Sequence, residues 1–272
     1  MSGRTNSEKD GKRNVIVHYH LFKNAGSSID HLLKFNFGEK WMAYDSDSAN
    51  GIIPCQGLEK LIAENPAVDA FSSHQIIPPL PEIDGNVYPV VILRDPIDRV
   101  KSAYLFEQKK QLGLDEPEGT LEEYIKSKFK NRRQNSIEEF QSIRLSNKYK
   151  DRFQDHTKVD DDELLENAKT FIESLSFVGI VDDFDRTTEL LIDFLKPDFP
   201  EFKGREFKSN VLQDLSLSQQ QKREQIKSEL SAEVYAEVLD RNRLDEALYQ
   251  IGKAHFQKLW TLKSGDSKAK VA

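Results

Sequence analysis

The sequence of 272 residues has a single cysteine, Cys55, so no disulfide can close within the chain and no metal site can be built from several thiolates. Long hydrophobic runs are missing: nothing approaches the roughly 18 consecutive apolar residues that a membrane span needs. The stretch Met1–Asn14 is polar and mixed in charge, without the apolar centre of a secretory signal. Basic residues are in deficit, 39 against 46 acidic ones for a net charge of −7, which argues against non-specific nucleic-acid binding. No repeat period is apparent. Aromatic residues are plentiful, with 16 Phe and 8 Tyr, and the length suffices for one large domain with a substantial core. These features describe a globular protein of a reducing compartment, and an enzyme fits them.

Residues 1–13 and 263–272 read as disordered tails around a single domain, 14–262. Strand-like and helix-like segments alternate within it, which predicts an α/β fold with a central parallel sheet flanked by helices in three layers. The first strand is expected over Val15–Phe22, β-branched and aromatic on both faces as a buried parallel strand should be. Further strands are expected at Trp41–Tyr44, Val68–Ser72, Val87–Leu93 and Phe177–Val181. Helices are expected from Ser27, after Asp95, around Asp162–Leu175 and Asp183–Leu195, and through most of Ser216–Trp260. Residues 105–170, highly charged, read as a partly helical insertion on the substrate side.

Two segments share one logic. A buried strand ends, a polar turn follows, and a helix N-terminus opens, presenting unpaired N–H groups and a positive dipole end to an anion. The first is Lys23-Asn24-Ala25-Gly26-Ser27-Ser28, in which Gly26 permits close backbone approach, the serines add donors and Lys23 adds a point charge. It is not a Walker A loop, because Lys precedes the glycine instead of following it. An ordinary strand-turn-helix junction accounts for this segment equally well. The second is Leu93-Arg94-Asp95-Pro96-Ile97-Asp98-Arg99-Val100-Lys101-Ser102-Ala103-Tyr104. Asp95 is a natural N-cap and Pro96 suits the first helical position. Arg94 and Ser102 are suited to hold a phosphate dianion, and the plainer alternative is an Arg94 paired with Asp95 or Asp98.

Together the two segments resemble the PAPS-dependent sulfotransferases, PAPS being 3′-phosphoadenosine-5′-phosphosulfate. The closer resemblance is to the carbohydrate branch that includes the heparan sulfate 2-O- and 6-O-sulfotransferases and their bacterial relatives. His20 to Ser28 is similar to that branch's first loop, and Leu93 to Tyr104 to its second. Phe71-Ser72-Ser73-His74, Phe177 to Asp185, and Asn242-Arg243-Leu244-Asp245-Glu246-Ala247-Leu248-Tyr249 resemble three further family stretches. The likeness spans about residues 15–257 and is weakest over 105–170.

The resemblance implies a P-loop-like fold and sulfuryl transfer from PAPS, with adenosine 3′,5′-bisphosphate (PAP) as product and no metal. The acceptor would be a hydroxyl, taken to be that of a saccharide or glycoconjugate. In this reading Lys23, Asn24, Ala25, Gly26, Ser27 and Ser28 bind the 5′-phosphosulfate, and Lys23 neutralises charge on the leaving oxygen. Arg94 and Ser102 hold the 3′-phosphate, and His74 is the general base. His18 and His20 alternate along strand one and share a face of the sheet; with no third ligand nearby in sequence, a metal site there is not expected. His31, His156 and His255 read as surface or structural. Arg132, Arg133, Gln134 and Asn135 fall where relatives carry polar residues that meet nucleotide or acceptor, and Lys109, Lys110, Lys126, Lys128 and Lys130 read mostly as a solvated face. Eukaryotic relatives are Golgi enzymes with an N-terminal anchor; the expectation here is a cytoplasmic, bacterial-type enzyme, with the Golgi lumen reserved for a chain trimmed of its anchor. Two competing readings are a nucleotide-dependent kinase or NTPase, and a non-catalytic nucleotide-binding protein.

Overall fold

A computed structural model describes residues 12–48, 51–115, 117–130, 136–149, 159–204 and 217–269. Arg132, Arg133, Gln134, Asn135 and His156 lie outside the described residues. Five strands form one parallel sheet: β1 (Arg13–Tyr19), β2 (Trp41–Ala43), β3 (Ala70–Ser73), β4 (Gly85–Leu93) and β5 (Gly179–Ile180), in the order β2-β3-β1-β4-β5. The helices are α1 (Gly26–Phe37), α2 (Cys55–Glu64), α3 (Pro96–Phe106), α4 (Leu121–Lys130), α5 (Phe140–Leu145), α6 (Asp161–Ser174), α7 (Phe184–Leu195), α8 (Gln219–Ser228), α9 (Ala232–Asp240) and α10 (Arg243–Ala269). The architecture is the three-layer α/β arrangement that the alternating pattern predicts. Among the described residues no helix is long and apolar enough to cross a membrane.

β1 lies at the centre of the sheet, and its run Val15 to Tyr19 is buried on both faces. It is registered on one side against β3 (Tyr19 opposite Ser73) and on the other against β4 (Tyr19 opposite Val91). Because the three strands run parallel, their C-terminal ends open on the same edge. From β1 the chain turns toward β2 and β3, whereas from β4 it turns toward β5. Adjacent strands whose connections diverge leave a crevice between their C-terminal ends, where open α/β sheets bind ligands.

Several boundaries differ from those the sequence suggests. β1 ends at Tyr19, not Phe22, and His20-Leu21-Phe22 belong to the turn, which Leu21 opens by donating back to Tyr19 O. Arg13, placed by sequence in the tail, begins β1; its guanidinium reaches the carbonyls of Ile62 in the last turn of α2 and of Asn65 and Val68 beyond it. α10 runs to Ala269, past the point where the sequence suggests the C-terminal tail starts.

The insertion is not an appendage. Leu121, Tyr124, Ile125 and Phe129 of α4 pack with Ile97, Val100 and Tyr104 of α3 and with Ile226, Val234 and Val238 of α8 and α9 in a second core. Burying side chains of this kind stabilises by about 1.5–3 kcal/mol each, which holds α3 from the side away from the sheet.

Candidate active site

At the end of β1 the chain takes two left-handed residues that are not glycine, Lys23 (φ 65°) and Ala25 (φ 59°). Such conformations cost about 1–2 kcal/mol each and persist only where surroundings enforce them. Three side chains do so. Asn24 is buried, and its Nδ2 donates to Ile92 O (2.8 Å) and to Gln141 Oε1 (2.6 Å). Arg94 Nη1 donates to Lys23 O at 2.9 Å. Gln141 completes the clamp, accepting from Arg94 N (3.0 Å) and donating to Arg94 O (2.9 Å).

α1 opens from Ala25 with no side-chain cap, and its first turn closes on Ala25 O, which accepts from Ser28 N (2.9 Å) and Ile29 N (3.4 Å). The N–H groups of Gly26 and Ser27 have no backbone acceptor among the described residues. Ser27 is exposed and Ser28 buried. The bare Cα of Gly26 accommodates the His20 ring, into which a Cβ would drive. The glycine thus serves an internal contact. Asn24 likewise turns its side-chain amide inward, and its backbone N donates to Leu21 O within the turn.

Lys23 Nζ sits 4.2 Å from the centroid of the Phe106 ring. Partial burial, then the nearby Arg94 charge, lowers its pKa from 10.5 to about 8. Across the crevice Asp95 caps α3, its Oδ1 accepting from Ile97 N (2.9 Å) and Asp98 N (3.0 Å), with Pro96 in the first turn as the sequence predicts. Arg94 and Ser102 come together: Nη1 donates to Ser102 Oγ at 2.8 Å while Nε donates to Asp98 Oδ2 at 2.7 Å. The plainer sequence reading of Arg94, an ion pair with Asp98, is present, and the same guanidinium lies beside the Ser102 hydroxyl.

β3 delivers His74 to the same edge. Its Nδ1 lies 3.0 Å from Asp45 Oδ2, and Asp45 Oδ1 accepts from His74 N (2.9 Å) and Ser73 Oγ (2.6 Å). The His74 side chain is 46% exposed, and its Nε2 has no hydrogen-bond partner among the described residues. The ring stacks on His20 at 3.9 Å between centroids. Burial first, then His20, holds the His74 pKa below the usual 6.5, with Asp45 opposing. A neutral imidazole with Nδ1 tied to a carboxylate and Nε2 open is the geometry of a general base.

Behind it, Asp30 of α1 bridges two imidazoles, Oδ1 to His18 Nδ1 (2.9 Å) and Oδ2 to His20 Nδ1 (2.8 Å). The sequence offered no third ligand near His18 and His20; the fold brings Asp30 there, with donor atoms of all three within 4.8 Å of one another. Each imidazole nitrogen meets its own carboxylate oxygen at hydrogen-bond distance, a pairing that orients His20 beneath His74. His255 is structural, its Nε2 2.7 Å from Leu175 O.

The Sulfotransferase family profile matches residues 10–250. The chain belongs to that family. An uncharacterised protein of Archaeoglobus fulgidus is similar to it, 27% identical over 249 residues that cover 88% of this chain and 95% of that one. The sulfotransferase's C-terminal stretch Asn242 to Tyr249, noticed in the sequence without a role, acts at a distance. Asp245 accepts from Gln141 N (3.1 Å), Ser142 N (2.7 Å) and Ser142 Oγ (2.8 Å), and so seats α5 against both turns. Tyr249 OH donates to Asp182 Oδ2 at 2.8 Å. Asp45, Asp30 and Gln141 escape sequence reasoning.

Proposed function

We propose that this sulfotransferase takes its sulfuryl group from PAPS and delivers it to an acceptor hydroxyl, that of a saccharide or glycoconjugate, with His74 as base. The observation that carries the reading is the Arg94–Ser102 pair standing across one crevice from the open first turn of α1. Family membership supports sulfuryl transfer to a hydroxyl-bearing acceptor. The donor, the saccharide and the base rest on the motifs and on this arrangement.

The residues present suit such a donor. Gly26 and Ser27 have N–H groups with no backbone acceptor among the described residues, at a helix N-terminus, and Lys23 and Arg94 add positive charge, the Arg94 guanidinium being oriented by Asp98; this is chemistry that receives phosphate and sulfate oxygens. When bound, PAPS supplies the sulfuryl group and a bisphosphate leaving group. Lys23 holds its ammonium where negative charge would grow, in a partly dehydrated place where such charge stabilisation is strongest. Ser102 and Arg94 grip the 3′-phosphate. His74 Nε2 takes the acceptor's proton, Asp45 keeping the ring in the tautomer that leaves Nε2 free. The place of work is taken to be the cytoplasm, in keeping with a single reduced thiol.

Calorimetric titration with PAP, ADP and ATP tests the donor. PAP should bind well above ADP, and Arg94→Ala and Ser102→Ala should erase that preference. Equal binding of all three, or a preference for ATP with magnesium, refutes the donor assignment and favours a kinase.

A further inference from the structure

Lys23 stands in a place unfavourable to a charge. Its side chain is partly buried, and Arg94, a second cation, binds the Lys23 carbonyl at 2.9 Å and repels the ammonium. The carboxylates around these turns are engaged elsewhere: Asp98 with Arg94 Nε at 2.7 Å, Asp30 with His18 and His20, Asp45 with His74, and Glu107 with Lys128 at 2.6 Å. What the ammonium meets is the Phe106 ring, its Nζ 4.2 Å from the centroid. That is well inside the roughly 6 Å within which the negative face of a ring attracts a cation. Phe106 closes α3 and falls four residues after Ser102, so the two share a face of the helix. One face of α3 thus carries both the hydroxyl beside Arg94 and the ring beside Lys23. The ring is fixed from the loop as well: Phe22, next to Lys23 in the chain, meets it edge to face at 5.5 Å and meets Phe140 of α5 at 6.3 Å. A ring differs from a carboxylate in two ways that matter to an anion site. It attracts the ammonium without tying up its three N–H donors, and it brings no negative charge to repel the ligand.

We infer that Phe106 is a positioning residue for Lys23: the face of its ring holds the ammonium at the crevice and keeps it charged, leaving all three N–H groups to the incoming anion. Without that face, burial and Arg94 would strip the proton from Lys23 within the neutral range, and affinity for the anion would go with it. That this anion is the donor rests on the sulfotransferase reading above; the hold of the ring on the ammonium does not.

The test reads the charge on Lys23 directly, from the pH titration of its side-chain carbon resonances in the free full-length protein, identified by their loss in Lys23→Arg. Four proteins are compared: wild type, Phe106→Tyr, Phe106→Leu, and a protein with a ring-trifluorinated phenylalanine at 106. The fluorines draw electron density off the ring face with little change of shape, so packing is kept while the attraction is removed. Wild type and Phe106→Tyr should titrate together, near 8. Phe106→Leu and the trifluorinated protein should both titrate lower, by about half a pH unit or more. Calorimetry with PAP should then give matching affinities near pH 6.5, where Lys23 is charged in all four. Near pH 8.5 the latter two should bind about threefold more weakly than wild type. A Lys23 titration that trifluorination leaves in place overturns the proposal, even if Phe106→Leu moves it, since the ring would then act by packing alone. An equal loss of affinity at both pH values in the trifluorinated protein also overturns it. Should the wild type fail to bind PAP at all, the donor reading falls separately, and the titration of the free proteins still decides whether the ring holds the ammonium.

Discussion

Lys23 is the group whose titration should be visible at neutral pH. Its pKa is about 8 in the free protein, lowered from 10.5 by partial burial and by Arg94. A donor or product anion favours the ammonium, so the pKa in the complex is higher than in the free protein. The sign follows: affinity for PAP is constant below about pH 8, falls about tenfold per unit above it, and levels off past the pKa of the complex. The bisphosphate is already ionised in that range, because its second dissociations lie near pH 6. Cys55 does not interfere, burial and Glu59 having raised its pKa to about 11. Calorimetry in two buffers of different ionisation enthalpy counts the protons directly: close to one taken up per PAP bound near pH 9, and close to none near pH 7. Lys23→Arg keeps the charge, so its affinity should stay level across the range without proton uptake. Lys23→Met should lose about 1.5–3 kcal/mol of binding at pH 7, the value of a charge-assisted contact. A wild-type affinity independent of pH between 7 and 10, or a slope unchanged in Lys23→Arg, refutes the assignment of Lys23 to the anion.

Three further outcomes are expected. His74→Ala should lower kcat by about 10²–10⁴-fold with PAP binding intact; Asp45→Asn should lower kcat and move the acid limb of kcat/KM to lower pH, because Asp45 raises the His74 pKa, and a limb that stays in place counts against the pairing. Gly26→Ala should destabilise by about 1–3 kcal/mol, since its Cβ meets the buried His20 ring, and an unchanged melting temperature would show that the ring moves freely. Asp245→Ala leaves two buried N–H groups and a hydroxyl without their acceptor, so it should cost about 3 kcal/mol or more and weaken PAP binding with no direct contact; denaturant unfolding and calorimetry read the two effects.

What the sequence discloses is what local signals encode. The stretch Leu93-Arg94-Asp95-Pro96 announces a strand end, a cap and a first helical residue. Ser102 then falls two turns along α3, where its hydroxyl meets the Arg94 guanidinium. His74 is legible as a residue closing a short strand. Its partner Asp45 is not, because the pairing depends on β2 lying beside β3, a fact of strand order with no trace in either segment. Gln141 escapes, and Asp245 is noticed without its role, for the same reason: their contact joins segments about a hundred residues apart. Gly26 and Asn24 have internal contacts that the loop's sequence does not announce: one makes room for His20 and the other turns its side chain inward to β4. A motif names the residues that a loop needs without saying which of them face out.

The clamp around Gln141 also sets where this enzyme can change its taste in acceptors. α5 lies in the stretch expected to choose the acceptor, yet its first residues hold the donor turns through Asn24 and Arg94 and are held in turn by Asp245. A substitution that shifts α5 to suit a new acceptor would disturb both turns at once. Variation in acceptor choice is thus channelled away from α5 and onto the residues around it, and libraries meant to redirect the enzyme are best built there, with Gln141, Ser142 and Asp245 left as they are.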